Sequence, residues 1–497
     1  MAEHLISQEE AESSLLGCAA FLAESIKSRD GHAEAMAAVV PRYLERGEVD
    51  LAAELANTVD DPFFRDKLLT QVAEKCAELD DDDYALQLAE AVEDPGLQSQ
   101  AFESIALQKA AKGQIDKAFE VAESVSHPDY VQAGIAVRLA LDGKHRDADQ
   151  LLDEIEYASA RVSALQAMAG ESFRGGNMEQ TVVFLDRAAT SAGEIEHTEE
   201  KIRAFVDIGN SFVEAKRNDK AIEVYDKARA AAEELDNVHR DSLLAGVALG
   251  FLHAGSLDLA ERTLDLVADK TQIASALLGY AREFWNKGQH DDALESIEES
   301  YQILKSQRDI ETRDSRARFR LFTQIAAQFA GFGKGERAIE IAHSIEDEEQ
   351  QVQALTQVAA ILASRNEDEQ SRQAVNAIHE DSSRVFALIS MSDSKAKNDH
   401  REAAVSLLDE AVHLAETVSQ LSLRPVAYNE AIKRYFELGE KDKASASSAL
   451  SLRTIAAIRD ESRRATCLVD LAVIQATSGF ELAESDVPVL RTILRAS

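Results

Sequence analysis

Apolar residues recur along this chain at spacings of three and four. In the stretch from Ile202 to Asp236, Phe205, Ile208, Gly209 and Phe212 fall at i, i+3, i+4 and i+7, and Ala221, Val224, Tyr225 and Ala228 repeat the pattern. Each set lies on one stripe of an α-helix. The polar break between them, Lys216-Arg217-Asn218-Asp219, predicts a turn. Asn218 tolerates the left-handed conformation that ends a helix, and Asp219 suits the cap and positive dipole of the next one. The unit is a helical hairpin.

The hairpin recurs. Pro62, Pro95 and Pro128 stand in similar settings, VDDPFF, VEDPGL and VSHPDY, 33 residues apart. Ten residues before each is an alanine in an acidic phrase, and the phrase continues as a series of small residues: Ala52, Ala85, Ala118, Ala148, Thr181, Ala221, Ala260, Ala293, Ala338, Ser371, Ala404, Ala444 and Ala483. An Asp or Glu stands two residues earlier in every case except Arg146. A small residue opening each second helix lets the paired helices cross closely. Equivalent turns carry Gly47, Gly113, Gly143, Gly176, Gly255, Gly288, Gly335 and Gly439, with Asn366 and Asn398 where glycine is missing. One such hairpin cannot bury its own apolar face, so neighbours stack and share a core. The predicted fold is all-α, a solenoid of about thirteen hairpins. Half of the steps in the series are 33 residues, but some reach 39 to 45. The excess is near two helical turns, so segments such as Ala230 to Arg240 and Val412 to Leu423 are expected to lengthen second helices. The expected organisation is an N-terminal capping helix in residues 1–32, with a capping box at Ser7-Gln-Glu-Glu10, the repeat array in 33–486, and a C-terminal capping helix in 487–497.

Composition sharpens this picture. The chain has 497 residues with only 22 Gly and 6 Pro, too few turn residues for an all-β protein of this length. Its 90 acidic and 53 basic residues leave a net charge of −37. Such a charge disfavours nucleic acid and anionic membranes, whose binding depends on Lys and Arg. It fits a basic or neutral protein partner, and it also fits a solvated surface that keeps a long molecule dispersed. Cys18, Cys76 and Cys467 are far apart and odd in number, so no disulfide framework is expected. With no signal-peptide pattern or long apolar run, a cytoplasmic location is expected.

The repeats resemble the tetratricopeptide family. Its pattern of a large apolar residue, a small pair, an aromatic, then Ala, aromatic and Ala is matched by Phe205, Ile208-Gly209, Phe212, Ala221, Tyr225 and Ala228. Similar sets run through Leu277, Ala281, Phe284 and Ala293, and through Ala248, Phe251, Ala260 and Leu264. The resemblance spans roughly residues 33 to 486. The closing proline survives in the first three units alone, Trp is absent from its expected place, and Pro41 interrupts the first unit. HEAT or Sel1-like repeats are alternatives for some units. The resemblance implies a right-handed superhelix with a concave groove lined by first helices. It places Arg174, Arg203, Asn210, Arg282, Trp285, Arg320 and Lys433 on that inner surface. The basic members are loosely similar to the carboxylate-binding grooves of chaperone-associated tetratricopeptide domains.

No catalytic pattern rises above this background. The twelve histidines form no HExxH, and His253 and His290 fall at repeat turns. Asp80 to Asp83 lacks the glycine and terminal glutamate of a calcium loop and reads as a repeat turn. Gly331-Phe-Gly333-Lys-Gly335 lacks the Ser or Thr of a phosphate loop. No cofactor or metal is expected. Arg308, Arg313, Arg316, Arg318 and Arg320 crowd five guanidinium groups into a short segment, either paired with acidic neighbouring repeats or open to an acidic peptide. Trp285 is either an interaction anchor or a filler between repeats. The expected function is a non-catalytic scaffold or adaptor binding a protein or peptide partner. Its competitors are an acidic subunit sequestering a basic partner, and an all-helical hydrolase using paired carboxylates. Self-association through the ends of the stack is also open.

Overall fold

A computed structural model describes residues 4–306, 315–479, 482 and 486–495. These residues form 28 α-helices and no strand. Two short helices come first, α1 (Gln8–Ser13) and α2 (Leu15–Ser25). Hairpins follow: α3 (Arg29–Glu45) with α4 (Val49–Asn57), α5 (Pro62–Glu78) with α6 (Asp82–Ala91), α7 (Pro95–Ala111) with α8 (Ile115–Ala122), and α9 (Asp129–Leu141) with α10 (His145–Glu154). The next four are α11 (Ala158–Arg174) with α12 (Met178–Gly193), α13 (Thr198–Glu214) with α14 (Asn218–Glu233), α15 (Arg240–His253) with α16 (Leu257–Leu264), and α17 (Lys270–Asn286) with α18 (His290–Ser306). The last four are α19 (Ser315–Gly331) with α20 (Gly335–His343), α21 (Glu348–Ser364) with α22 (Asp368–Asn376), α23 (Asp381–Lys397) with α24 (Arg401–Ala415), and α25 (Leu423–Glu437) with α26 (Lys441–Ala457). The chain finishes with α27 (Glu461–Ser478) and α28 (Val487–Arg495). The protein is a helical-repeat solenoid.

The small-residue series marks one structural position. From Ala52 to Ala444 each member is the fourth residue of its second helix, and each is buried. The acidic residue before it therefore sits in the first turn, where the helix dipole favours a carboxylate. Ala483, the last of the series, lies outside the described residues.

The turns follow the same spacing, and here three expectations are corrected. The left-handed residue lies five positions before the small residue throughout: Gly47, Asp80, Gly113, Gly143, Gly176, Lys216, Gly255, Gly288, Gly333, Asn366, Asp399 and Gly439. Lys216 (φ 57°), not Asn218, takes this conformation in the α13–α14 turn. Gly333 does so rather than Gly335, and Asp399 rather than Asn398. The cause is the closing hydrogen bond. The next amide reaches back five residues to the end of the first helix, as from Arg217 to Phe212 (2.8 Å) and from Gln289 to Phe284 (2.9 Å). That bond fixes the position whatever residue occupies it. Arg217, not Asp219, occupies the N-cap position; Asp219 sits in the first turn of α14, 3.3 Å from the Arg217 guanidinium, which holds its carboxyl below the usual range.

Step length in the series reads out second-helix length. Steps of 30 or 33 residues follow the second helices of 8 to 10 residues, α4, α6, α8, α10, α16, α20 and α22. Steps of 39 to 45 follow α12, α14, α18, α24 and α26, which have 15 to 17 residues. The lengthening expected at Ala230 and Val412 is present, and it stops at Glu233 and Ala415. Pro41 does not interrupt its unit: α3 runs through it to Glu45.

The described chain falls into two compact units. Unit 1 comprises Met1–Ile105, Gly333–Ile339 and Gln351–Ser497; unit 2 comprises Ala106–Phe332 and Glu340–Gln350. In unit 1 the two chain ends share one stack. First helices α25, α27, α3 and α5 follow one another as neighbours, and α2 lies along α27. Ser7 caps α1 by accepting from the Glu10 amide at 3.1 Å, as its capping box predicts. In the stretch expected as an N-terminal cap, α1 and α2 also contact α28.

Unit 2 has an aromatic core. Phe205, Phe212, Tyr225 and Phe251 are buried, and the Tyr225 ring meets Phe251 edge-on at 5.6 Å. Glycines at Gly209 and Gly250 make room for that ring: an added Cβ would fall 2.3 Å and 2.6 Å from Tyr225 Cε1. Carboxylates join consecutive repeats within each unit. Buried Asp66 accepts from the amides of Glu93 (2.9 Å) and Asp94 (2.8 Å), and Asp241 accepts from those of Ala268 (2.9 Å) and Asp269 (2.7 Å). Each tethers the loop before the following first helix, satisfying backbone donors that no helix pairs.

Candidate protein-interaction surface

Within unit 2, first helices α9, α11, α13, α15, α17 and α19 are each packed against the next in line, and α11, α13, α15 and α17 also lie against their own second helices. One row of each helix is left uncovered. In α11 it includes Ser163, Ala167 and Arg174; in α13, Arg203 and Asp207; in α15, Ser242 and Gly246; in α17, Ser275 and Arg282; in α19, Arg320 and Gln324. The centre of this surface has short side chains. A Cβ at Gly170 or Gly246 would meet nothing within 4 Å, so packing inside the protein does not require either glycine. Mid-helix glycine costs about 1 kcal/mol relative to alanine.

The residues singled out from the sequence separate into distinct environments. Arg174 ends α11, exposed and paired with Glu171 of its own helix at 2.5 Å. Arg203 is exposed and lies 3.6 Å from Glu199, one turn away. Such exposed pairs on one helix contribute at most a few tenths of a kcal/mol. Asn210 is half-buried and accepts a 2.7 Å hydrogen bond from the Tyr225 hydroxyl, so it anchors a core ring as well as edging the uncovered row. Arg282 and Arg320 are exposed and have no ion pair among the described residues. Lys433, likewise exposed and without an ion pair there, belongs to α25 in unit 1. Its neighbour Arg434 is held by Asp393 and Glu430.

Trp285 is half-buried near the end of α17. Its indole stacks on Phe332, with centroids 4.0 Å apart and planes at 13°, and His290 lies against it at 4.2 Å. The ring therefore fills space between repeats at the turn end of the hairpin. Of the five clustered arginines, Arg308 and Arg313 lie outside the described residues. Arg318 is buried, donates from Nε to the Leu304 carbonyl at 3.2 Å and rests over the Phe322 ring at 5.3 Å. It is a packing residue, whereas Arg316 and Arg320 are exposed, and Arg320 lies on the first-helix row.

His253, at the end of α15, faces Glu283 at 3.9 Å; burial pushes its pKa below the ordinary histidine value, with Glu283 opposing and Lys287 and Arg282 adding to the shift. Cys18, Cys76 and Cys467 are free and buried, and burial raises their thiols to about 12, 11 and 12. They are protonated and inert at neutral pH. Among the described residues no group of three or more His, Cys, Asp or Glu is arranged to hold a metal, and no helix is long and apolar enough to cross a membrane.

Sequence reasoning passed over an exposed set of aromatic side chains. Phe63 and Phe64 open α5 in unit 1, with rings 6.0 Å apart, and Tyr130 meets Tyr157 edge-on at 5.8 Å in unit 2. Phe63 and Tyr130 stand within two residues of Pro62 and Pro128, so the signal lay beside the prolines that revealed the repeat.

No family model matches the chain, and no curated protein matches it. Solved structures similar to it include Ton1535 from Thermococcus onnurineus NA1, at 16% identity over 71% of this chain and 97% of that one, with a TM-score of 0.26. The apo form of the quorum sensor NprR from B. thuringiensis is similar at 14% identity over 72% and 98%, with a TM-score of 0.25. The APC/C hetero-tetramer Cut9–Hcn1 is similar at 13% identity over 98% and 93%, with a TM-score of 0.22. The solenoid assignment rests on the hairpins themselves.

Proposed function

We propose that this protein is a non-catalytic scaffold or adaptor that binds a protein or peptide partner along the uncovered row of first helices α11 to α19. The observation that carries the reading is the pair Arg282 and Arg320, exposed without a salt bridge among the described residues in a chain with 37 more acidic than basic side chains. Where carboxylates are so abundant, cations left open on one ordered face are matched to an external anion, and guanidinium groups bind carboxylates in a fixed fork. The partner as a whole is basic or neutral, because a net charge of −37 repels an acidic protein. The segment that reaches Arg282 and Arg320 carries the acidic groups. A preformed row lowers the ordering cost of binding.

The test is affinity capture from native lysate with the wild type and with Arg282→Glu/Arg320→Glu, at low and high salt. The variant is expected to keep its melting temperature and lose its partner at either salt. Equal capture by both proteins refutes the site. Capture that is lost in high salt yet unaffected by the double substitution favours the competing reading, in which the acidic exterior sequesters a basic partner.

A further inference from the structure

The N-terminal end of the chain does not look like a solvent-facing cap. A capping helix keeps one polar face toward water, whereas α2 buries eight of its eleven residues, Leu15, Leu16, Gly17, Cys18, Ala19, Ala20, Leu22 and Ala23. A helix covered all round belongs to a core. Its cover is supplied by α1 and α3 from its own end and by α27 and α28 from the other. First helix α27 has α25 and α3 as neighbours, and α2 lies along it as closely as second helices do along their own first helices.

Polar contacts close the same junction. Ser462 at the start of α27 donates to Glu34 Oε2 of α3 at 2.8 Å, and Arg491 of α28 pairs with Glu12 of α1 at 2.9 Å. Arg464 of α27 is buried and near Cys18 of α2, whose thiol its charge pulls down against the effect of burial. The link from α2 to α3 contributes little. Lys27 and Ser28 are exposed, and Ser28 caps α3 by accepting from the Gly31 amide at 3.1 Å, a contact that needs nothing from residue 27.

We propose that α27 carries a helix-docking site whose occupant is α2, so that residues 1–27 act as a ligand of the rest of the chain and hold their place without the peptide bond to Ser28. The repeat begun by α27 is completed from the opposite end of the sequence. The chain ends are thereby a single cooperative element, and removal of this segment uncovers an apolar helix face.

The experiment inserts a protease recognition sequence between Lys27 and Ser28 of the full chain, cleaves it, and follows the fragment by size-exclusion chromatography and intact mass. The fragment is expected to co-elute with the remainder at micromolar concentration, and a labelled synthetic peptide of residues 1–27 is expected to exchange into the cleaved protein. Leu16→Asp in that peptide should weaken exchange by roughly 100-fold or more, as removal of a buried apolar anchor does. A fragment that departs on cleavage, while the remainder keeps its melting temperature, overturns the proposal. If the insertion disturbs folding, hydrogen exchange on the unmodified chain decides: α2 amides protected as well as those of α27 support docking, and exchange at least ~10-fold faster in α2 overturns it.

Discussion

The hairpins around α13 to α16 in unit 2 and those around α21 to α27 in unit 1 fill the same kind of space with different material. In the first, one large ring does the filling: Tyr225 sits between Gly209 and Gly250, with Phe251 at its edge. In the second, hydroxyls and amides do it. Ser371 donates to the Ala359 carbonyl (2.7 Å), Ser392 to that of Ala404 (2.9 Å), Ser451 to Asn429 Oδ1 (2.7 Å), and Asn429 to the Cys467 carbonyl (3.4 Å). Lys395, 5% exposed, reaches Asp368 at 2.5 Å and Asn366 at 3.0 Å in the preceding turn. An aromatic wedge gains stability from burial and demands glycine opposite it. A polar junction gains little net stability from each bond, but each lost partner leaves a buried group unsatisfied. One repeat plan thus tolerates two kinds of core with different weaknesses.

That contrast can be broken at its strongest point first. Tyr225→Ala empties the space between two glycines, and a loss of about 4 kcal/mol is expected by urea denaturation, since neighbouring helices cannot fully collapse onto the gap. Gly209→Ala should be costly alone and nearly harmless in the Tyr225→Ala background, because the three atoms nearest its Cβ all belong to that ring; equal costs in both backgrounds would refute the wedge. Next is Asn429→Ala in unit 1. It strands the Ser451 hydroxyl, while the Cys467 carbonyl keeps its bond within α27, and about 2 kcal/mol is lost, whereas the double variant Asn429→Ala/Ser451→Ala should recover part of the loss. The smallest effect tests a feature both regions share. Lys216→Gly relieves a left-handed lysine and should raise stability by about 1 kcal/mol, while Gly288→Ala, at the matching place in its turn, should lower it by a similar amount.

The turns show why parts of this molecule were readable and others were not. Spacing alone located every described second helix, because a small residue at its fourth position and a carboxylate in its first turn are local requirements repeated along the chain. Residue type misplaced three left-handed positions, since a hydrogen bond to the end of the preceding helix, rather than the liking of Asn or Gly for that conformation, chooses the site. The candidate surface divided in the same way. Arg320 and Arg318 share a sequence neighbourhood and a charge, yet one is exposed and the other is buried against Leu304 and Phe322. Two positions along a helix are 200° apart, so neighbours of one type face opposite environments.

By itself, the sequence determined what is local and periodic: helical hairpins, their number to within the last unit, and the length of each second helix from the step that follows it, together with a net charge of −37. Tertiary structure decided what depends on partners distant along the chain. It set Trp285 against Phe332, turned Arg318 inward, linked Asn210 to a core tyrosine and seated α2 on α27. The reason is physical. A helix's own residues fix its apolar stripe, but any complementary stripe satisfies it, and only the folded stack selects which one arrives.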